Sequence, residues 1–131
     1  MAQTEGPPND AAFSGMLRKK KLKHGVFEDP YKTKVKCWIH RSTFYIQPIN
    51  LKGPAEIGIE ELDVTAWEVG PRQAKAKFTV IHPSGRFAKF KAASQQEADE
   101  WMRQITSAAA RAKEAEAEER HRQERASGVG S

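Results

Sequence analysis

The 131-residue chain has a single cysteine, Cys37, and that scarcity excludes both an internal disulfide framework and a multi-cysteine zinc site. No apolar run approaches the roughly 20 residues of a membrane-spanning helix, and the N-terminus has no signal-peptide apolar core. Position 2 is alanine, so the glycine needed for N-myristoylation is missing. His24, His40, His82 and His121 are scattered, with no H-x-x-x-H pair or other metal-ligand spacing. A Gly-rich phosphate loop, a G-x-S-x-G elbow and a paired-carboxylate arrangement are likewise absent. No metal, no cofactor and no enzymatic activity are expected.

What the chain does have is charge, placed unevenly. Charged residues make up 30% of it and the net charge is +5. Between Gly15 and Lys36, eight cations (Arg18, Lys19, Lys20, Lys21, Lys23, Lys32, Lys34, Lys36) face only Glu28 and Asp29. That segment therefore holds more than the whole net charge. A local surplus of this kind points to an anionic partner at one place rather than to a generally sticky surface.

Hydrophobic residues at 38% suffice for one core. Residues 1–12, with Gly6-Pro7-Pro8-Asn9, read as a flexible leader. Phe13 to Lys23 is a first strand with Leu17 pointing inward, and Gly25 and Asp29-Pro30 mark the loop after it. Lys34 to His40 and Thr43 to Gln47 form a hairpin about Arg41-Ser42. After a loop ending at Gly53-Pro54, Glu56 to Leu62 gives a fourth strand through Ile57 and Ile59, with Glu60, Glu61 and Asp63 at a solvated edge. Val64 to Val69 gives a fifth. Lys77 to His82 is a sixth, and Pro83-Ser84-Gly85 turns it into the seventh, Arg86 to Ala92.

In that last strand Phe87, Lys89 and Lys91 alternate with Ala88, Phe90 and Ala92. Ser94-Gln95-Gln96-Glu97 then fits a capping box, and Ala98, Trp101, Met102, Ile105 and Ala109 make one apolar helical stripe. Seven strands in sequence must curl to hide one face, and a helix with a tryptophan-centred stripe can close the opening. From Arg111 to Arg125 five acidic and five basic residues continue the helix with hardly any apolar surface. Pairs such as Glu116/Arg120 and Glu118/Arg122 support it by only ~0.2–0.5 kcal/mol each, so fraying toward Ala126-Ser127-Gly128 is expected. No leucine or isoleucine seam calls for a coiled coil, and a monomer is expected. The fold class is mainly β with one α-helix: a seven-stranded orthogonal β-sandwich or partly open barrel capped by a C-terminal helix. The domain is placed at 13–110, with a charged helical extension at 111–131.

Over Phe13 to Ala110 this pattern resembles the pleckstrin-homology (PH) domain family. Gly15-Met16-Leu17-Arg18-Lys19 resembles the family's G-x-L-x-K opening, and Lys34-Val35-Lys36-Cys37-Trp38 resembles its K-x-R followed by an inward aromatic. Ser94, Glu97, Trp101 and Ile105 stand as in its closing helix. The resemblance implies phosphoinositide headgroup binding at an open end between the first two strands, with Lys19, Lys34 and Lys36 as the family's lysines and Tyr45 as a further contact. Lys36 stands where phosphate-binding members usually carry arginine. A lysine is a mobile point charge rather than a bidentate fork, so low stereospecificity is expected.

By strand period, Leu17, Lys19 and Lys21 share one face of the first strand, and Lys34, Lys36 and Trp38 share one face of the second. With Leu17 and Trp38 both taken as inward, these lysines converge at the open end, flanked by Arg18 and Lys23. Cys37 then faces away as a half-buried thiol without chemistry. The partner so implied is an anionic phospholipid, with Val26-Phe27 touching the bilayer interface. The location is cytoplasmic and peripheral, at membrane or cytoskeleton. A plainer reading stands beside this one, in which the lysines serve solubility or guard an edge strand. A third reading is a protein-interaction module that uses a sheet edge or the charged C-terminal helix. Nucleic acid is the weaker case, because Phe27 is the one aromatic interleaved with the lysines as a stacking platform.

Overall fold

A computed structural model describes residues 11–21, 29–49 and 58–129 of the chain. The leader 1–10, the first-hairpin residues Lys23, Val26 and Phe27, the Gly53-Pro54 loop end, and Glu56 and Ile57 lie outside the described residues. The strands are β1 (Phe13–Lys19), β2 (Thr33–His40), β3 (Thr43–Pro48), β4 (Glu60–Asp63), β5 (Glu68–Val69), β6 (Lys77–Ile81) and β7 (Phe87–Lys91), followed by α1 (Gln95–Val129). They form one antiparallel sheet in the order β4-β3-β2-β1-β7-β6-β5. β4 and β5 are its two edges, so the sheet stays open. β1 joins the halves through the short ladder Arg18↔Lys91 and Lys19↔Phe90, which the Lys20 N–H extends to Lys89 O at 2.8 Å.

Side-chain alternation sorts the core. Leu17, Val35, Cys37, Ile39, Phe44, Ile46, Leu62, Phe78, Val80, Ala88 and Phe90 all face inward and are buried. The expected orientation of β2 is therefore reversed. Val35, Cys37 and Ile39 point into the core and Lys34, Lys36 and Trp38 point out. Trp38 is still covered, because it stacks on Tyr45 at 5.2 Å on the outer face. The reason is register: Cys37 sits opposite Gly15 and Ile46, so Val35, Cys37 and Ile39 alternate inward while the indole finds a neighbour outside. Burial pushes the Cys37 thiol far above its ordinary pKa, Glu60 adding slightly and Lys19 opposing.

β5 is much shorter than its apolar run. Val64 to Trp67 turns instead, because the Asp63 carboxylate accepts the Thr65 N–H at 2.9 Å and the Thr65 hydroxyl at 2.7 Å. Val64 and Trp67 still reach the core, from the turn rather than from a strand.

α1 begins at the expected cap, with Ser94 Oγ accepting the Glu97 N–H at 3.1 Å. Its stripe Ala98, Trp101, Ile105 and Ala108 is buried. Trp101 meets Phe13 edge-on at 4.6 Å and Phe44 at 5.7 Å. It also lies against Gly15, where a methyl group would come within 3.4 Å of its Cζ2. Beyond Ala112 the described side chains of α1 are exposed, and the ion pair formed there is Arg122 with Glu119 at 3.0 Å.

The β5–β6 connection is tied to the start of α1. Gln95 Oε1 accepts the Ala76 N–H at 3.0 Å and its Nε2 donates to Gln73 O at 3.1 Å. Arg72 clasps Asp99 with bonds of 2.9 and 3.0 Å, which hold that carboxyl below its usual pKa. These contacts keep Lys75 and Ala76 at φ of 63° and 59°, the left-handed region that side chains disfavour.

Two stability outcomes are expected. Trp101→Ala should lower the unfolding free energy by roughly 3–5 kcal/mol in urea titration, as for deletion of a fully buried aromatic. Lys75→Gly should raise it by roughly 0.5–1 kcal/mol, since relief of left-handed strain exceeds the added flexibility of the unfolded chain.

Candidate anion-binding face

The strand register assembles a row of cations that no single segment contains. Lys34 on β2 is directly opposite Arg18 on β1, Arg18 is opposite Lys91 on β7, and Lys91 is opposite Lys77 on β6. All four alternate with buried residues and so share the outer face. Neighbouring strands lie about 4.8 Å apart, so the row spans roughly 14 Å. Directly opposed like charges destabilise a sheet, and among the described residues none of the four has a carboxylate partner. Arg18 instead donates to Tyr31 O at 3.4 Å, and the Lys77 ammonium lies 5.1 Å over the Tyr31 ring.

Where β1 and β7 meet, the row borders a groove of about 300 Å³ lined by Met16, Leu17, Arg18, Lys34, Lys91, Ala92 and Ala93. Three cations from three strands thus stand around an apolar floor. Such an arrangement can accept several anionic oxygens at once, with Arg18 supplying a planar fork and the lysines adaptable ammonium groups.

The residues expected from the sequence to converge are divided. Arg18 and Lys34 line the groove, and Lys36 lies two residues further along β2 on the same face, opposite Met16. Lys19 is on the inner side of β1 with Leu17, near enough to Cys37 to influence its thiol. Lys21 continues the hairpin beyond β1, its N–H bonding Pro30 O at 2.8 Å. Lys23 lies outside the described residues. Tyr45 is committed to its stack on Trp38, four residues along β2 from the Lys34 rung, or roughly 13 Å. Lys77 and Lys91 were not identified in advance. Lys91 shows the correct alternation, but nothing local indicates that β7 will pair with β1.

Among the described residues there is no group of His, Cys, Asp and Glu able to hold a metal ion, and no helix long and apolar enough to cross a membrane.

No protein-family model matches the chain, and no curated protein sequence does. Solved structures do. The Slm1-PH domain in complex with phosphoserine is 17% identical, covers 79% of this chain and 99% of its own, and superposes with a TM-score of 0.60. The PH domain of human oxysterol-binding protein-related protein 11 is 16% identical over 86% of this chain and 91% of its own, also at 0.60. The C-terminal PH domain of pleckstrin is 19% identical over 76% and 97%, at 0.55. Together with the open seven-stranded antiparallel sheet and its single C-terminal helix, these likenesses establish that the chain has the pleckstrin-homology fold.

Proposed function

We propose that this chain is a non-catalytic module that attaches to anionic membrane lipid by gathering phosphorylated headgroups into the groove bounded by Arg18, Lys34 and Lys91. The observation that carries the reading is the four-cation row, because opposed like charges across paired strands call for an anion above them. The ligands of domains with this fold support it. Slm1-PH has been crystallised with inositol 4-phosphate as well as phosphoserine, and the pleckstrin C-terminal PH domain with D-myo-Ins(1,2,3,4,5)P5. These compounds share phosphate groups, the chemistry a cluster of guanidinium and ammonium groups accepts.

The expected recognition is governed by charge more than by stereochemistry. Two of the three groove cations are lysines, and Lys36 beside them is a third. Each cation near an anionic bilayer contributes about 1 kcal/mol and is screened within roughly 8–10 Å in physiological salt. Attachment should therefore weaken as salt rises and depend on total headgroup charge.

Sedimentation with vesicles containing phosphatidylserine or a phosphatidylinositol phosphate, at two salt concentrations, tests this. Lys34→Gln with Lys91→Gln removes about 2 kcal/mol of attraction and should weaken binding roughly 30-fold. The same variant should melt no lower than the parent, since it relieves repulsion along the row. Undiminished sedimentation of the double variant would overturn the assignment of the groove.

A further inference from the structure

The outer face of the second half of the sheet changes character along its length. On β7 it reads Lys91, Lys89, Phe87 and on β6 Lys77, Thr79, Ile81, from the cation row toward the β6–β7 turn. Phe87 and Ile81 are directly opposite one another, at the last rung before the turn, and remain 46% and 40% exposed. One exposed apolar side chain is ordinary on a protein surface. Two on the same rung, on one face and in line with cations, form a patch.

The patch is held in place. The turn beneath it is closed by His82 N–H to Arg86 O and Gly85 N–H to His82 O, both at 2.8 Å, and the Ser84 N–H bonds His82 Nδ1 at 3.0 Å. Gly85, at φ 98°, takes the position that a side chain would strain. Gly70 leaves room beside Ile81, whose Cδ1 lies 3.2 Å from where a methyl group at that glycine would stand. Cations flank the patch on both sides. The Lys89 ammonium lies 5.4 Å over the Phe87 ring, and the Arg86 guanidinium lies 5.6 Å over the ring of Trp67, itself nearly buried.

We infer that Phe87 and Ile81 form an apolar wedge that enters the headgroup layer of the same anionic membrane whose phosphates the groove holds. This rests on the lipid reading above and adds to it the orientation of the domain on the bilayer. Along a strand Lys89 lies roughly 7 Å from Phe87 and Lys91 roughly 13 Å. With the β6–β7 tip lowest, Phe87 and Ile81 reach the acyl boundary and Lys89, two residues further up β7, stands at phosphate level, the layering that interfacial segments adopt. Charge complementarity selects the occupant. A purely apolar protein surface would leave Lys89 and Lys91 without counter-charge, whereas an anionic bilayer meets these cations and the apolar pair together.

The test uses the full chain and phosphatidylcholine vesicles carrying phosphatidylserine and a phosphatidylinositol phosphate. Phe87→Ser with Ile81→Ser should weaken vesicle binding roughly tenfold, as expected from withdrawing two half-buried apolar groups, and leave binding of soluble inositol phosphate unchanged. Because Cys37 is fully buried, Phe87→Cys can be labelled selectively with an environment-sensitive fluorophore. Its emission should shift to the blue on vesicles, whereas a label at Glu118→Cys on exposed α1 should not respond. If the serine variant binds vesicles as the parent does, or the label at position 87 is silent on bound protein, the wedge is wrong and the headgroup reading survives. If the parent itself ignores anionic vesicles, both fall. A blue shift that follows protein concentration without vesicles would make a second copy of the chain the occupant and overturn the inference.

Discussion

Two backbone rungs join the two halves of this sheet directly. Arg18↔Lys91 and Lys19↔Phe90 are the ladder between β1 and β7, and through them four strands on one side join three on the other. The inward residues along this seam, Leu17 and Phe90, are buried and anchor it by apolar contact. The outward residues oppose it, because Arg18 and Lys91 carry like charges on one rung and Lys34 and Lys77 extend the series on either side. Core cohesion and surface repulsion act on the same few residues. Burial wins in the free protein, since the cations reach into water of high dielectric while the apolar side chains do not.

The same seam explains why the cations fall into two sets. A strand alternates its faces, so Lys19 follows Leu17 to the inner side while Arg18 joins Lys34 outside. Reversal of β2 relative to expectation is a consequence of register. Once Gly15 and Ile46 stand opposite Cys37, the thiol is enclosed, and Trp38 must find cover elsewhere, which Tyr45 provides. Enclosure also raises the pKa of the thiol, because burial disfavours the thiolate more strongly than Lys19 favours it.

Several elements were legible from local patterns. The Ser94 cap, the stripe through Ala98, Trp101 and Ile105, and the alternation of β7 stand where periodicity places them, because each depends on neighbours within a few residues. β5 was not legible at its true length. Val64 to Trp67 has the composition of a strand, but the Asp63 side chain captures the Thr65 amide and hydroxyl and turns the chain. The inward face of β2 was misread because an aromatic looks like a core residue until its cross-strand partner is known. The cation row was half legible. Arg18 and Lys34 belong to the basic run, while Lys77 and Lys91 come from strands more than 40 residues further on.

Composition and periodicity alone determined that this chain would form a short-stranded sheet, that a tryptophan-bearing helix would cover it, and that positive charge would concentrate near its first hairpin. Those are local properties, set by side-chain volume, backbone preference and charge along a few turns or strands. Only the tertiary structure decided which lysines stand together and which are parted by the thickness of the sheet. Alternation gives each strand two faces but does not say which face meets the core, nor which distant strand lies alongside. That choice is made collectively, by the pairing that buries the most apolar surface with every backbone group satisfied.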